Sequence, residues 1–186
     1  PTGQRILASL FQAVTPRTAG YNTVDLTEMS NISRAVTILL MLTGGAPGST
    51  AGGMKVTTLA VLAANAVAAF FRREDPQLFR RRLEPSAVRN AAAILLLYLA
   101  LTVAGAAVIG AVEGLPLGAC LYETASAAGT VGLTLGLTPQ LGTLSQGILI
   151  LLMFFGRVGG LTLIYAAFSG HDLTYARYPQ EKITVG

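Results

Sequence analysis

Cysteine is almost absent from this chain: Cys120 stands alone, which excludes an internal disulfide and any cysteine-based metal cluster. Its apolar neighbours make it a small packed side chain rather than a reactive thiol. Histidine is as scarce, and His171 has no second ligand of suitable type and spacing, so it reads as a surface side chain rather than a metal ligand. Charge is sparse too. With 12% charged and 52% hydrophobic residues among 186, and a mean hydropathy of +0.59, the chain is too apolar for an ordinary soluble domain and fits a bilayer. Basic residues are missing altogether from Glu113 to Gly147, whereas Arg72, Arg73, Arg80, Arg81, Arg82 and Arg89 crowd one connection. By the positive-inside rule that connection is cytoplasmic and the stretch after Glu113 external. The same clustering argues against nucleic acid as a partner despite the net charge of +4. The chain opens with Pro1 and shows no cleavable signal, so it reads as a piece of a longer one.

What is present is organised around Thr130-Val131-Gly132-Leu133-Thr134, which follows a short apolar segment and lies between two long hydrophobic runs. About ten helical residues cover only about 15 Å, half of a hydrocarbon core, so the segment can enter a membrane but must turn back. A Thr-X-Gly turn at that depth lets successive carbonyls point to one axis, where they replace the water of a dehydrated cation. A second copy lies 112 positions earlier: Thr18-Ala19-Gly20 matches Thr130-Val131-Gly132, Ile38 to Met41 matches Ile150 to Met153, and Gly44 and Gly48 match Gly156 and Gly160. Two copies of one unit are expected: re-entrant helix, filter-like turn, membrane helix.

In chain order, Arg5 to Val14 reads as the first pore helix and Arg17 to Asn22 as the first filter turn. Thr23 to Ser33 is an external linker whose Asp25 and Glu28 either raise the local cation concentration or are simply solvated. A membrane helix starts at Ile32 to Leu42. It is interrupted from Thr43 to Lys55 by five glycines, a proline and a charge, and resumes from Val56 to Phe71. Asn90 to Val112 is an uncharged span, Leu117 to Ala128 the second pore helix, Leu135 to Gln146 a second external linker and Ile148 to Phe168 the last span. The expected organisation is residues 1–71 as a partial unit, 72–89 as a cytoplasmic basic linker, 90–170 as a complete unit and 171–186 as a cytoplasmic tail.

Irregular backbone at membrane depth is tolerated only where it is packed in protein or lines a wet cavity. The interruption, with Gly44, Gly45, Pro47, Gly48, Ser49, Thr50, Gly52, Gly53 and Lys55, is therefore expected to lie against a permeation path on the cytoplasmic side of the filter, as a gate. The spacing departs from that of a phosphate-binding loop: Met54 separates Gly53 from Lys55, Val56 follows the lysine, and a membrane-type run precedes. Arg157, in the matching position of the second copy, must face water or a partner. It is expected either to form an electrostatic barrier below the filter or to staple the loop through its carbonyls, and both roles are compatible. Glu123, inside the second pore helix, either tunes the filter or anchors the helix as a paired carboxylate.

Both Thr-X-Gly loops, the run Gly44 to Lys55, Arg157 and the ending Glu181-Lys182-Ile183-Thr184-Val185-Gly186 resemble the Ktr/Trk/HKT superfamily of potassium transporters, its bacterial Ktr-type members most of all, over essentially the whole chain. The resemblance implies an all-α polytopic membrane protein of four helix, pore loop, helix units around one pore, of which this chain matches the third, in part, and the fourth. It implies potassium as cargo, with sodium as a coupling or stimulating ion, and filter sites at Thr18, Ala19, Gly20 and Tyr21 and at Thr130, Val131, Gly132 and Leu133. The implied partners are the N-terminal half of the pore, a second copy in a homodimer, a cytosolic nucleotide-sensing regulatory subunit and membrane lipid. The implied place is the bacterial cytoplasmic membrane, and no enzymatic activity is expected. Sodium selectivity within the family, a non-conducting scaffold that uses glycine for close helix packing, and a phosphate-binding enzyme are the alternatives.

Overall fold

The computed structural model describes residues 2–73 and 75–159, and these are mostly helical. The elements in order are α1 (Thr2–Val14), α2 (Asn31–Leu42), α3 (Val56–Phe70), β1 (Gln77–Leu78), β2 (Arg81–Arg82), α4 (Pro85–Glu113), α5 (Leu117–Ala128), a 3-10 turn (Thr138–Gln140) and α6 (Thr143–Val158). The last span beyond residue 159 and the tail with His171 lie outside the described residues. α4 is long and apolar enough to cross a membrane, whereas α2, α3 and α6 are shorter apolar helices.

Helix boundaries follow local chemistry. The Ser30 hydroxyl accepts from the Ser33 amide, so α2 begins at Asn31, inside the stretch expected to be linker. Pro85 opens α4 ahead of the uncharged run at Asn90, since its missing N–H costs nothing in a first turn. α3 stops at Phe70 because Arg72 turns left-handed, with φ 51°, and the Arg73 amide bonds the Ala68 carbonyl at 2.8 Å. α6 starts at Thr143, again inside an expected linker. There the Glu113 carboxylate accepts from the Gly142 amide at 2.9 Å and the Ser145 hydroxyl at 2.5 Å, tying the end of α4 to the start of α6. The basic connection holds a hairpin that periodicity did not announce, with Leu78 paired to Arg81 across a Phe79-Arg80 turn.

α5 is the centre of the packing. Cys120 and every residue from Tyr122 to Ala128 are buried against α2, α4 and α6. Most of those side chains are small, which lets helix backbones approach closely. Gly105 of α4 serves the same purpose: a Cβ there would stand 3.0 Å from Leu152 of α6 and 3.4 Å from Thr124 of α5. By contrast α1 buries no residue, and Ile6, Leu7, Leu10 and Val14 are exposed.

Replacing Gly105 by leucine in the full-length protein should overpack this junction and cost about 1–3 kcal/mol. A thermal midpoint equal to that of the parent would refute the packing described for α4, α5 and α6.

Candidate functional site: two Thr-X-Gly turns and a glycine-rich loop

Each Thr-X-Gly turn lies just beyond the C-terminal end of a short helix, α1 or α5. Thr18 (φ 66°) and Gly20 (φ 72°) are left-handed while Ala19 between them is not. Thr130 (φ 52°) and Gly132 (φ 90°) repeat the pattern around Val131. Glycine adopts such angles freely, but for a β-branched threonine they are a genuine outlier. Alternating left-handed and ordinary residues undoes the usual reversal of successive peptide planes, so that neighbouring carbonyls face the same side. Positive φ was expected of the glycines; the threonines share it.

Hydrogen bonds hold the strained turns in place. In the first, the Ala19 and Gly20 amides donate to the Thr15 carbonyl at 3.1 and 3.3 Å, and the buried Thr15 hydroxyl donates to the Tyr21 carbonyl at 2.6 Å. In the second, the Val131 amide donates to the Ser126 carbonyl at 2.9 Å. The following segment is tied down by Glu123. Its carboxylate accepts from the Thr134 hydroxyl at 2.7 Å, the Leu135 amide at 2.8 Å and the Thr138 hydroxyl at 2.6 Å. Glu123 thus anchors the chain as it leaves the turn, with no cationic partner among the described residues. Leu133 packs in the core with Leu26 and Tyr122, whereas the side chain of Tyr21 is exposed.

The two turns adjoin. A Cβ on Gly20 would collide with the Val131 carbonyl oxygen, and one on Gly132 would come within 4.0 Å of the Gly20 Cα. A carbonyl of the second turn is therefore aimed at the glycine of the first. The Thr18 hydroxyl is buried with no hydrogen-bond partner among the described residues. Thr18 is one of the residues that line a cavity of about 430 Å³, with Arg17, Ser49, Thr50, Thr130 and Arg157. No group of three His, Cys, Asp or Glu is assembled among the described residues. In the linker, Asp25 caps its own turn. The hydroxyl and then the amide of Thr27 donate to its carboxylate and hold its pKa below the ordinary value.

The interruption between α2 and α3 is a closed loop. Its base is pinched by the Gly44 amide on the Met54 carbonyl at 2.6 Å, the Met54 amide on the Leu42 carbonyl at 3.1 Å and the Val56 amide on the Gly45 carbonyl at 3.2 Å. Gly44 must be glycine there, since a Cβ would strike the Gly52 carbonyl. Pro47 and Gly48 (φ 80°) form the exposed tip. Three successive carbonyls near the tip receive cations: the Lys55 ammonium donates to Ser49 at 3.3 Å and to Ala51 at 2.5 Å, and Arg157 donates to Thr50. The other limb lies against the second turn. The Gly52 amide donates to the Thr130 hydroxyl at 3.2 Å, and the Gly53 amide to the Gly156 carbonyl at 3.4 Å. A Cβ at Gly52 would strike the Thr130 side chain, and one at Gly156 would strike the Ala128 carbonyl and come within 3.1 Å of the Thr130 methyl. Thr130 is thus shared between turn and loop, a link that sequence spacing did not reveal. Arg157 staples the loop and places its charge beside the cavity.

The sequence model of the family TrkH, described as cation transport protein, matches residues 1–172. The chain is similar to Ktr system potassium uptake protein B of Bacillus subtilis, with 37% identity over 98% of this chain and 41% of the relative. Potassium/sodium uptake protein NtpJ of Enterococcus hirae is 37% identical over 98% of this chain and 42% of its own length. Ktr system potassium uptake protein B of Vibrio alginolyticus is 36% identical over 100% of this chain and 40% of its own length. The chain therefore spans about two fifths of the length of these relatives, whose names are those of uptake proteins rather than enzymes.

Glu123→Ala should strand one amide and two hydroxyls and destabilise the full-length protein by about 3 kcal/mol or more. An unchanged unfolding midpoint would mean that the Glu123 bonds do not hold the segment after the turn.

Proposed function

The chain belongs to the TrkH family of cation transport proteins, and from that membership we propose that it supplies part of the potassium-conducting path of an uptake protein in a bacterial cytoplasmic membrane. The observation that carries this reading is the matched left-handed, ordinary, left-handed backbone of Thr18-Ala19-Gly20 and Thr130-Val131-Gly132, with the two turns in contact. Such turns offer rows of carbonyl oxygens that substitute for the hydration shell of a cation. The C-terminal ends of α1 and α5, each just before its turn, add partial negative charge that favours a cation.

The two turns are two of the four segments needed to surround an ion, and the remaining two come from the rest of the protein. The exposed apolar face of α1 is the natural seat for part of it. Residues 1–71 then form a partial third unit, 90–170 the fourth, and 72–89 and 171–186 lie in the cytoplasm, the orientation that the arginines favour. A second copy as homodimer partner and a nucleotide-sensing regulatory subunit follow from the family resemblance. Two relatives bear the name of a Ktr system, which supports additional subunits.

In this reading the loop from Gly44 to Gly53 is the gate, with Lys55 and Arg157 holding its carbonyls. Opening breaks the Arg157 to Thr50 and Gly52 to Thr130 hydrogen bonds. Because Thr130 is also a filter residue, gate and filter share an atom. Potassium is named for all three relatives and sodium for one, so a sodium-selective pore is not favoured, and sodium is assigned a coupling or stimulating role. A scaffold accounts for close glycine packing but not for strained threonines at the helix ends.

In the full-length protein Gly132→Ser forces a side chain onto φ 90°. By displacing the carbonyls of the turn it should reduce the preference for potassium over sodium in an uptake assay. An unaltered ratio would sink the filter assignment. Deleting Gly48 to Gly52 should raise potassium flux in correctly assembled protein, and equal or lower flux would count against a gate.

A further inference from the structure

We propose that the arginine-rich hairpin between α3 and α4 docks on anionic phospholipid headgroups at the cytoplasmic surface of the membrane. This rests on the membrane placement of the family and on neither the filter nor the gate.

Residues 72–89 carry six arginines against three acidic residues in a chain whose net charge is +4, so the connection holds most of the excess charge. All six guanidinium-bearing residues are exposed. Only Arg82 is engaged in an ion pair among the described residues, with Asp75 at 3.0 Å, while Arg73 lies 5.6 Å from the centre of the Phe71 ring. The hairpin is short, and its place is set by the helices that flank it: α3 ends at Phe70, and the apolar α4, long enough to cross a bilayer, begins at Pro85. The arginines thus sit where a membrane surface lies.

The turn itself supplies an independent argument. Phe79 and Arg80 both have positive φ, 50° and 63°, at the two central positions of the hairpin. Asn-Gly or Gly-Gly relieves strain at such a turn, and a bulky aromatic is an outlier there. Phe79 is nevertheless 90% exposed, and Phe70 and Phe71 are 84% and 70% exposed, so packing within the chain does not account for them. Strained positions cluster at functional sites, where the strain serves binding or switching. Aromatic rings flanked by arginines suit an interface where rings enter the headgroup layer and guanidinium groups bind phosphate. Juxtamembrane basic clusters are attracted to anionic leaflets by this electrostatic term. A neutral or acidic protein surface would use the arginines but not a strained, exposed phenylalanine.

The test uses full-length protein in nanodiscs of phosphatidylcholine alone and of phosphatidylcholine with phosphatidylglycerol, reading the thermal midpoint. Phosphatidylglycerol should raise the midpoint, and R80Q/R81Q should remove about half or more of that rise. Phe79→Gly relieves the turn, so it should raise the midpoint in detergent while shrinking the lipid-dependent rise. A lipid response unchanged in both variants overturns the proposal, as does equal stabilisation of the parent by inorganic phosphate in lipid-free detergent. So would variants that keep the lipid response but lose binding of a soluble partner subunit. Potassium flux is not the readout, so failure here is separate from failure of the filter or gate.

Discussion

The interaction on which this structure turns is the seat of Thr130. Its backbone is left-handed, its hydroxyl accepts the Gly52 amide at 3.2 Å, and its side chain is boxed between Gly52 and Gly156. A β-branched residue does not hold that conformation unaided. The turn therefore needs the loop, and the loop, whose own backbone is too irregular for a helix, needs the turn. Two weak structures lend one another definition at a single hydroxyl.

That mutual dependence explains the glycines. Gly52 and Gly156 admit the Thr130 side chain, Gly129 sits against the Met41 carbonyl, and Gly44 allows the two limbs of the loop to close. None of these positions tolerates a Cβ without displacing backbone or the threonine. These four glycines thus lie where separate segments cross in close contact. The charges follow a similar logic. Lys55 and Arg157 satisfy carbonyls that an interrupted helix leaves open, and Glu123 gathers the donors of the segment after the second turn. In a bilayer such groups are costly unless partnered, and each of these three is.

The family match gives this arrangement its biological direction, because transport of cations requires a site that removes water and a barrier that does not leak. Under the proposed reading the strained turns serve the first need and the stapled loop the second. The sharing of Thr130 means that the state of one is felt by the other. The arginine hairpin stands apart from both, and under the proposed lipid docking it relates the fold to the membrane surface.

Much of this was legible beforehand. A short helix was expected at Leu117 to Ala128 and is observed there, and the loop between Leu42 and Val56 was delimited by its glycines, proline and lysine. Both features depend on apolar runs and helix breakers, which act over a few residues. The early starts of α2 and α6, and of α4 at Pro85, escaped because caps, a carboxylate 29 residues away and a first-turn proline outweighed hydropathy. The Phe79-Arg80 hairpin escaped because it lacks the usual turn residues. Local sequence, then, determined which segments are helical and where they break. The handedness of Thr18 and Thr130, the partners of Glu123 and the docking of the loop were decided by tertiary structure. The Gly52 to Thr130 bond joins residues 78 apart, and nothing in the neighbourhood of either one announces the other.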